Sequence, residues 1–209
     1  MVITEWDCFG LSRVLVWRLE EDAPQLLSLC CESGIPVEDM AGLPVKRQRE
    51  KAAEMLLLCH ALGRPVKLGH DKQGAPAVEG EEVNISITHT PHLVALAVDD
   101  KQVIGVDAEQ KERRQVLRVR DKFLNTSEQQ FINPNDLEAH VIAWTAKEAI
   151  IKAERNSAID WTEGIRLNPF VSHQVETSLT ANCTSGRSYR LISRLHAGHF
   201  ITLAILEIQ

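Results

Sequence analysis

The sequence predicts an α+β protein made of two similar halves, each with an antiparallel sheet and one long helix. Two stretches, residues 45–62 and 136–155, have the hydrophobic periodicity of long helices. Short runs such as 83–88, in which apolar and polar residues alternate, are typical of strands with one buried face. We therefore predict an N-terminal half, residues 1–104, and a C-terminal half, residues 105–209.

An internal similarity supports this division. At an offset of 107 residues, six positions in a window of 14 are identical. The pairs are Ile85/Ile192, Ser86/Ser193, His89/His196, His92/His199, Leu96/Leu203 and Ala97/Ala204. The alternative is that any two amphipathic strands share Ile, Leu and Ala, although a strand pattern does not require the histidines. A duplicated half would place a ligand site at the junction of the two halves.

The same local patterns predict the remaining elements. We expect strands at 14–17, 83–88, 93–98, 102–106, 189–195 and 199–208, and helices after 22–24 and at 45–62, 113–131 and 136–155. Asp99-Asp100-Lys101 is expected to turn a hairpin, and His196-Ala197-Gly198 a second one. Gly63 should end the helix 45–62, because glycine readily adopts the left-handed conformation of a helix C-terminus.

Composition excludes several classes of protein. The net charge of −6 over 209 residues is opposite in sign to that of a dedicated nucleic-acid binder, so we expect no nucleic-acid partner. No apolar run reaches about 18 residues, so neither a membrane span nor a secretory signal is expected. The five cysteines are odd in number and lack CxxC spacing, which indicates buried thiols in a reducing cytoplasm, with neither a zinc site nor a disulfide framework.

The predicted strand 102–106 leads directly into Asp107-Ala108-Glu109. Residues i and i+2 of a strand share a face, so the two carboxylates are expected to project together. Like charges held this way raise each other's pKa unless a cation lies between them. Mg²⁺ suits one or two carboxylates together with substrate phosphates. The alternative is an exposed strand end with two solvated carboxylates.

The helix 136–155 has a mixed stripe of residues on one face. Trp144, Glu148 and Lys152 are spaced at i, i+4 and i+8, and Lys147 lies about 100° away on the helix. A carboxylate flanked by lysines can complete a metal site while the ammonium groups meet phosphate oxygens. The alternative is a surface ion pair between Glu148 and Lys152, although Trp144 suggests a face turned towards protein.

Three further segments can attract anions. Thr88-His89-Thr90 follows a strand and can hold a phosphate, or His89 can be a structural histidine. Cations at 46–49 lie near the start of the helix that begins at Val45, where positive charge opposes the helix dipole. A bound anion would explain their placement, and a solvated helix start is the alternative. Residues 111–122 contain six basic and two acidic side chains, which suit an acidic partner, phosphates or a solvated helix face.

In combination these motifs resemble those of the 4′-phosphopantetheinyl transferases, of the surfactin-synthetase-activating type with two fused halves. The matching elements are Thr88-His89-Thr90, Gly105-Val106-Asp107-Ala108-Glu109 and Trp144-x-x-Lys147-Glu148-Ala149-x-x-Lys152. The last two motifs are specific when they occur together. The resemblance covers about residues 45–155 by motif, and the rest of the chain by length and strand layout.

The resemblance implies that Asp107, Glu109 and Glu148 bind Mg²⁺, or Mn²⁺ in its place, together with the pyrophosphate of coenzyme A. It implies that Lys152 neutralises the pyrophosphate and assists the departure of 3′,5′-ADP. Lys147 would be a secondary phosphate contact. Asp107, Glu148 and Lys152 are thus the implied catalytic residues, and Glu148 is our candidate for the base that accepts a proton from the serine nucleophile.

The resemblance also implies that Arg47, Thr88 and His89 hold the phosphates of coenzyme A. The acceptor would be a serine hydroxyl of an acyl or peptidyl carrier protein. Carrier proteins are typically acidic, which gives the basic segment 111–122 a role in docking. The resemblance also implies that the two α+β halves form a pseudo-twofold pair. Because these halves are fused in one chain, it implies a monomer.

The chain departs from the family pattern at two positions. Ala75 stands where the family often has the lysine of Gly-Lys-Pro, and Lys72 is the candidate replacement. Met55 stands where many relatives have an arginine. Both changes can weaken coenzyme A binding, so a catalytically weak or inactive carrier-binding module of the same fold is the alternative function.

Overall fold

A computed structural model describes residues 2–10 and 12–207 of the chain. It mixes helices with antiparallel strands, which confirms the predicted α+β class. The chain divides into two compact units, Met1–Asp100 and Lys101–Gln209. Among the described residues, no helix combines the length and the apolar character that a membrane crossing requires.

The first unit is built around an antiparallel sheet and a long helix. Its elements are β1 (Ile3–Cys8), β2 (Ser12–Arg18), α1 (Ala23–Glu32), α2 (Glu38–Ala41), α3 (Val45–Leu62), β3 (Leu68–His70), β4 (Pro76–Val78), β5 (Asn84–Thr90) and β6 (Leu93–Asp99). The sheet has the order β1-β2-β6-β5, and β3 pairs separately with β4.

The second unit repeats this combination of sheet and helix with different connections. Its elements are β7 (Ile104–Gln110), α4 (Gln115–Arg118), a 3₁₀ turn (Arg120–Lys122), α5 (Thr126–Phe131), α6 (Leu137–Glu154), β8 (Ile165–Leu167), β9 (Glu176–Cys183), β10 (Ser188–His196) and β11 (His199–Leu206). The sheet order is β7-β11-β10-β9-β8, and each neighbouring pair is antiparallel.

The two long helices lie where the sequence predicts them. Helix α3 has the predicted bounds, and Gly63 ends it in the left-handed conformation, with φ +71°. Helix α6 begins after Asp136, whose side chain accepts a hydrogen bond of 3.0 Å from the backbone N of Ala139. This bond satisfies one of the free N–H groups of the first turn.

Two predicted elements are wrong. Strands 93–98 and 102–106 do not form a hairpin, because β6 pairs with β2 and β5 while β7 pairs with β11. The alternation of side chains identifies a strand but not its partner. The predicted helix 113–131 is broken into α4, the 3₁₀ turn and α5, since Asn125 starts a new helix with its own capping box.

Several elements escaped the sequence patterns, namely β1, β3, β4, β8, β9 and α2. The strands predicted at 14–17, 83–88 and 189–195 correspond to β2, β5 and β10. The strand predicted at 199–208 corresponds to β11, and its last residue, Ile208, lies outside the described part of the chain.

The hairpins β5–β6 and β10–β11 do not match at the offset of the sequence identities. Thr90 pairs with Leu93, and His196 pairs with His199, so the two hairpins coincide at a shift of 106 residues (90 to 196, and 93 to 199). The identities need a shift of 107. One residue of shift turns every side chain to the other face of the sheet. The pseudo-twofold arrangement therefore stays a prediction, with less support from these identities.

Candidate active site

Strand β7 and helix α6 approach closely because Gly105 has no side chain. A Cβ atom at Gly105 would lie 1.9 Å from the carbonyl oxygen of Ala149 and 2.7 Å from the backbone N of Ala153. Asp107 and Glu109 follow Gly105 at intervals of two residues, so all three face α6. The end of β7 is thereby held against the helix that carries Glu148 and Lys152 in the same unit.

Lys152 contacts this strand directly. Its Nζ donates hydrogen bonds to Asp107 Oδ1 at 2.8 Å and to the carbonyl oxygen of Val106 at 2.9 Å. The Asp107 side chain is 9% exposed and the Lys152 side chain is 30% exposed. Attraction between opposite charges is stronger where water is partly excluded. Two of the residues predicted to be catalytic are therefore in contact.

Glu148 lies within electrostatic reach of this pair. Burial raises the pKa of Glu148, and the negative charge of Asp107 raises it further. Lys152 and Arg113 lower this pKa, but the net shift is upward. A carboxylate whose pKa is raised in this way is better suited to accept a proton near neutral pH.

Glu109 forms an ion pair with Arg113 in the turn that follows β7. The guanidinium carbon of Arg113 also lies 5.1 Å from the centroid of the Trp144 ring, the distance of a cation–π interaction. Arg113 therefore belongs to the cluster, although sequence reasoning did not single it out. Its only signal was membership of the basic segment 111–122, because a contact across a turn has no fixed spacing.

The three predicted metal ligands do not form a ready-made site. Within residues 2–10 and 12–207, no group of three or more histidine, cysteine, aspartate or glutamate side chains is arranged to hold a metal ion. The carboxylate of Asp107 is bonded to Lys152, and that of Glu109 to Arg113. The ligand roles of these carboxylates stay predictions.

Lys147 is not available as the phosphate contact that the resemblance implies. Its side chain is 0% exposed, and its Nζ donates to Glu128 Oε2 at 2.7 Å. It also donates to the carbonyl oxygens of Phe123, Trp161 and Ile165, at 2.6, 2.7 and 3.0 Å. Burial lowers the pKa of Lys147, and the charge of Glu128 opposes that shift. Helical periodicity predicted the direction of the Lys147 side chain, but it could not predict which other segments bury that side chain.

A cavity of about 330 Å³ lies beside Trp144 in the second unit. Phe123 and Trp161 also line it, and the ring centroid of Trp144 lies 5.2 Å from that of Phe123 and 4.7 Å from that of Trp161. Arg113 and Lys122 add positive charge to its lining. The cavity suits a ligand that joins an uncharged chain to a negatively charged group.

In the first unit, predicted phosphate contacts gather around Glu50 of α3. Arg47 Nη1 lies 2.7 Å from Glu50 Oε2. His89 Nε2 lies 3.5 Å from Glu50 Oε1, and His89 Nδ1 lies 3.5 Å from Glu54 Oε1. Thr88, the preceding residue on β5, is buried. Arg47 and His89 are thus brought together, with carboxylates between them.

Lys72 lies on a different sheet of the same unit, in the exposed turn between β3 and β4. The side chain of Asp71 accepts hydrogen bonds of 2.9 Å from the backbone N of Gln73 and of Ala75. Gly74 has φ +83°, which favours glycine. Asp71 and Gly74 set the shape of this turn, so alanine is tolerated at position 75.

The basic segment 111–122 has three cations that are exposed to solvent. Arg114, Arg118 and Lys122 are exposed, while Val116 is buried in the core of the second unit. The segment is anchored by this apolar contact, and the three exposed cations can meet an acidic surface.

Comparison with models of protein families gives a match. Residues 103–203 match the sequence model of the 4′-phosphopantetheinyl transferase superfamily (ACPS). A search of curated proteins found no match to the chain. The matched stretch contains Asp107, Glu109, Glu148 and Lys152. The stretch that holds the acidic cluster of β7 and α6 is therefore similar to the domain of the 4′-phosphopantetheinyl transferase superfamily.

Proposed function

We propose that this protein is a 4′-phosphopantetheinyl transferase of the surfactin-synthetase-activating type. It transfers 4′-phosphopantetheine from coenzyme A to a serine hydroxyl of an apo acyl or peptidyl carrier protein and releases 3′,5′-ADP. The observation that carries the proposal is the meeting of Asp107, Glu148 and Lys152 inside the stretch that matches the superfamily.

The chemistry needs positioning and charge neutralisation more than covalent help from the protein. The serine oxygen attacks the phosphorus that carries the pantetheine, and the bond from that phosphorus to the bridging pyrophosphate oxygen breaks. Lys152 supplies positive charge for the leaving phosphate, with its ammonium oriented by Asp107. Glu148 accepts the serine proton, a role that its raised pKa favours.

We assign Mg²⁺, or Mn²⁺ in its place, to Asp107 and Glu148, with Glu109 as a further ligand. The donor set fits, because it offers only carboxylate oxygens, and because the repulsion between Asp107 and Glu148 is relieved by a cation. When bound, the metal neutralises phosphate oxygens. Glu109 has to leave Arg113 in order to contribute.

The phosphates of coenzyme A are assigned to Arg47, Thr88 and His89, with Lys72 in place of the family's lysine. Support comes from Arg47 and His89, whose side chains are partly exposed and share Glu50 as a neighbour. The uncharged pantetheine chain suits the cavity beside Trp144, whose apolar walls match it in character.

An acidic carrier protein is the assigned partner of the basic segment 111–122. Its exposed arginines and lysine would raise the rate of encounter in a salt-dependent way. We also propose a monomer in the cytoplasm. Size-exclusion chromatography tests the monomer directly.

The decisive experiment incubates the protein with coenzyme A, Mg²⁺ and a panel of apo carrier proteins, followed by intact mass spectrometry. We expect at least one carrier protein to gain the mass of a phosphopantetheine group. A carrier with its acceptor serine changed to alanine, and a sample with chelator, are the controls. If no carrier in the panel gains mass, the proposed function is wrong.

A second candidate function is a carrier-binding module with weak or no catalysis. Met55, which is buried, and Ala75 leave two positions without the cations that relatives have there. Calorimetry separates the candidates: heat on titration with coenzyme A and Mg²⁺ supports the transferase. Binding of an apo carrier protein without any such heat supports the module.

A further inference from the structure

A buried ammonium links the walls of the aromatic cavity. Lys147 Nζ donates hydrogen bonds to the carbonyl oxygens of Phe123 and Trp161 at 2.6 and 2.7 Å. Both residues line the cavity, and their rings pack against that of Trp144. The third ring belongs to Trp144, which precedes Lys147 by three residues on α6. The backbone segments that present all three rings are therefore tied to one side chain.

Glu128 extends the same network to α5 and β8. Its Oε2 accepts hydrogen bonds from Lys147 Nζ at 2.7 Å and from the backbone N of Asn125 at 2.8 Å. Its Oε1 accepts one from the backbone N of Leu167 at 2.8 Å. The Asn125 side chain in turn accepts a bond from the backbone N of Glu128, which starts α5. The ion pair thus joins α5, α6 and β8.

A buried ion pair is a less favourable way to fill a core than apolar side chains are. Both side chains are 0% exposed, and removing two charges from water costs more free energy than burying apolar residues of the same size. Hydrogen bonds, however, are directional, so an ammonium with several acceptors restricts how the segments around it move. The ion pair therefore stabilises the fold less than apolar residues of the same size would, but it fixes the geometry of the segments around it.

We infer that Lys147, neutralised by Glu128, is a positioning residue that holds Phe123, Trp144 and Trp161 in place and so sets the shape of the cavity beside Trp144. Glu148 is the next residue on α6, so any shift of the helix at Lys147 displaces the cluster as well. Only the kinetic consequence of this inference rests on the proposed function, since the ring geometry is a property of the free protein.

The test compares Lys147→Met with the wild type by two measurements. The rings of Trp144 and Trp161 lie 4.7 Å apart at 42°, close enough for their transitions to couple in circular dichroism. Trp161→Phe supplies the spectrum without coupling. We expect Lys147→Met to lose the coupled signal and to lower kcat/KM for coenzyme A by about 100-fold, as small displacements in an active site can do.

Glu154→Gln is the matched control. Glu154 is another largely buried charge on α6, and it accepts hydrogen bonds from the Tyr189 hydroxyl at 2.9 Å and from Arg187 at 3.1 Å. Its loss should lower the melting temperature but leave the coupled signal and kcat/KM unchanged. The control therefore separates positioning from general destabilisation.

The inference is overturned if folded Lys147→Met keeps the coupled signal and kcat/KM, or if Glu154→Gln loses both.

Because Glu128 without its partner can prevent folding, the double variant Lys147→Met/Glu128→Gln is measured alongside. A folded double variant with the wild-type signal overturns the inference, and one without that signal supports it. Failure of both variants to fold, while Glu154→Gln folds, also overturns it, since the pair would then be needed for the fold itself. If the wild type transfers nothing, the proposed function fails, yet the spectra still decide this inference.

Discussion

Each unit brings carboxylates together where its long helix meets a strand, and the two junctions differ in their charge balance. In the first unit, Glu54 of α3 lies beside Glu50, and His89 of β5 is 3.5 Å from both carboxylates. Burial raises the pKa of Glu54, and the next strongest influence is Arg47, which lowers it. Positive charge is therefore the dominant electrostatic neighbour at this junction.

The junction of the second unit has the opposite balance. Burial again raises the pKa of the helix carboxylate, Glu148, but the next strongest influence is the negative charge of Asp107, ahead of Lys152 and Arg113. The comparison shows that similar residue types can make an internally compensated cluster or one with excess negative charge. Only a cluster with excess negative charge is stabilised by an added cation.

The largest expected difference between the two junctions is the loss of transfer activity when one carboxylate is removed. We expect Glu148→Gln, and likewise Asp107→Ala, to lower kcat/KM for phosphopantetheine transfer by about 100-fold or more, because each removes charge that acts at the reacting groups. Glu50→Gln in the first junction should cost less than about 10-fold. Transfer assays on folded variants measure this. Equal losses at both junctions would remove the distinction.

The close approach of β7 and α6 gives the next largest effect. In Gly105→Ala the new methyl group would meet the Ala149 carbonyl at 1.9 Å, so α6 has to move away from the strand. Overpacking of this kind costs about 1–3 kcal/mol, and it also separates Glu148 from Asp107. Gly69→Ala is the matched control, since its methyl group meets only the flexible Glu79 side chain, at 3.2 Å. Urea unfolding measures both variants, and equal stability losses would contradict the prediction.

The lysine of the second junction should matter to stability as well as to turnover. Loss of a lysine from an exposed helix face costs little stability, but the ammonium of Lys152 is bonded to the nearly buried Asp107. We expect Lys152→Ala to destabilise the protein by about 1–2 kcal/mol, because it leaves Asp107 without this donor. Arg47→Ala, at the more exposed pair of the first junction, should change stability by less than about 0.5 kcal/mol. A smaller loss for Lys152→Ala than for Arg47→Ala would contradict this ranking.

Local sequence patterns predict local structure well in this chain. The bounds of α3 and the C-terminal stop at Gly63 follow from periodicity and from glycine's conformational freedom. The contact between Asp107 and Lys152 agrees with the alternation of a strand and the repeat of a helix, which gave the facing sides of both.

Contacts set by tertiary packing could not be predicted in the same way. The burial of Lys147 depends on Glu128, which is 19 residues away, and on backbone carbonyl groups. Every residue has a backbone carbonyl, so the sequence does not show which of them accept these bonds. Arg113 reaches Glu109 and Trp144 across a turn, where spacing carries no information. The residues with the most distinctive contacts in the site are therefore those whose partners are distant or are backbone atoms.

The smallest expected effect concerns Glu54, and its sign follows from its pKa. Burial raises this pKa above its ordinary value of 4.5, so the folded state binds the proton more tightly than the unfolded state does. Stability is therefore favoured below the ordinary pKa and falls as the pH rises through that value towards the raised one. Glu54→Gln cannot ionise, so its stability relative to the wild type should increase between about pH 4 and pH 7, by no more than about 1 kcal/mol. Urea unfolding at both pH values measures the difference. A difference that stays constant or shrinks with rising pH would mean that Arg47 and His89 outweigh burial, and that the first junction is more fully compensated than its pKa indicates.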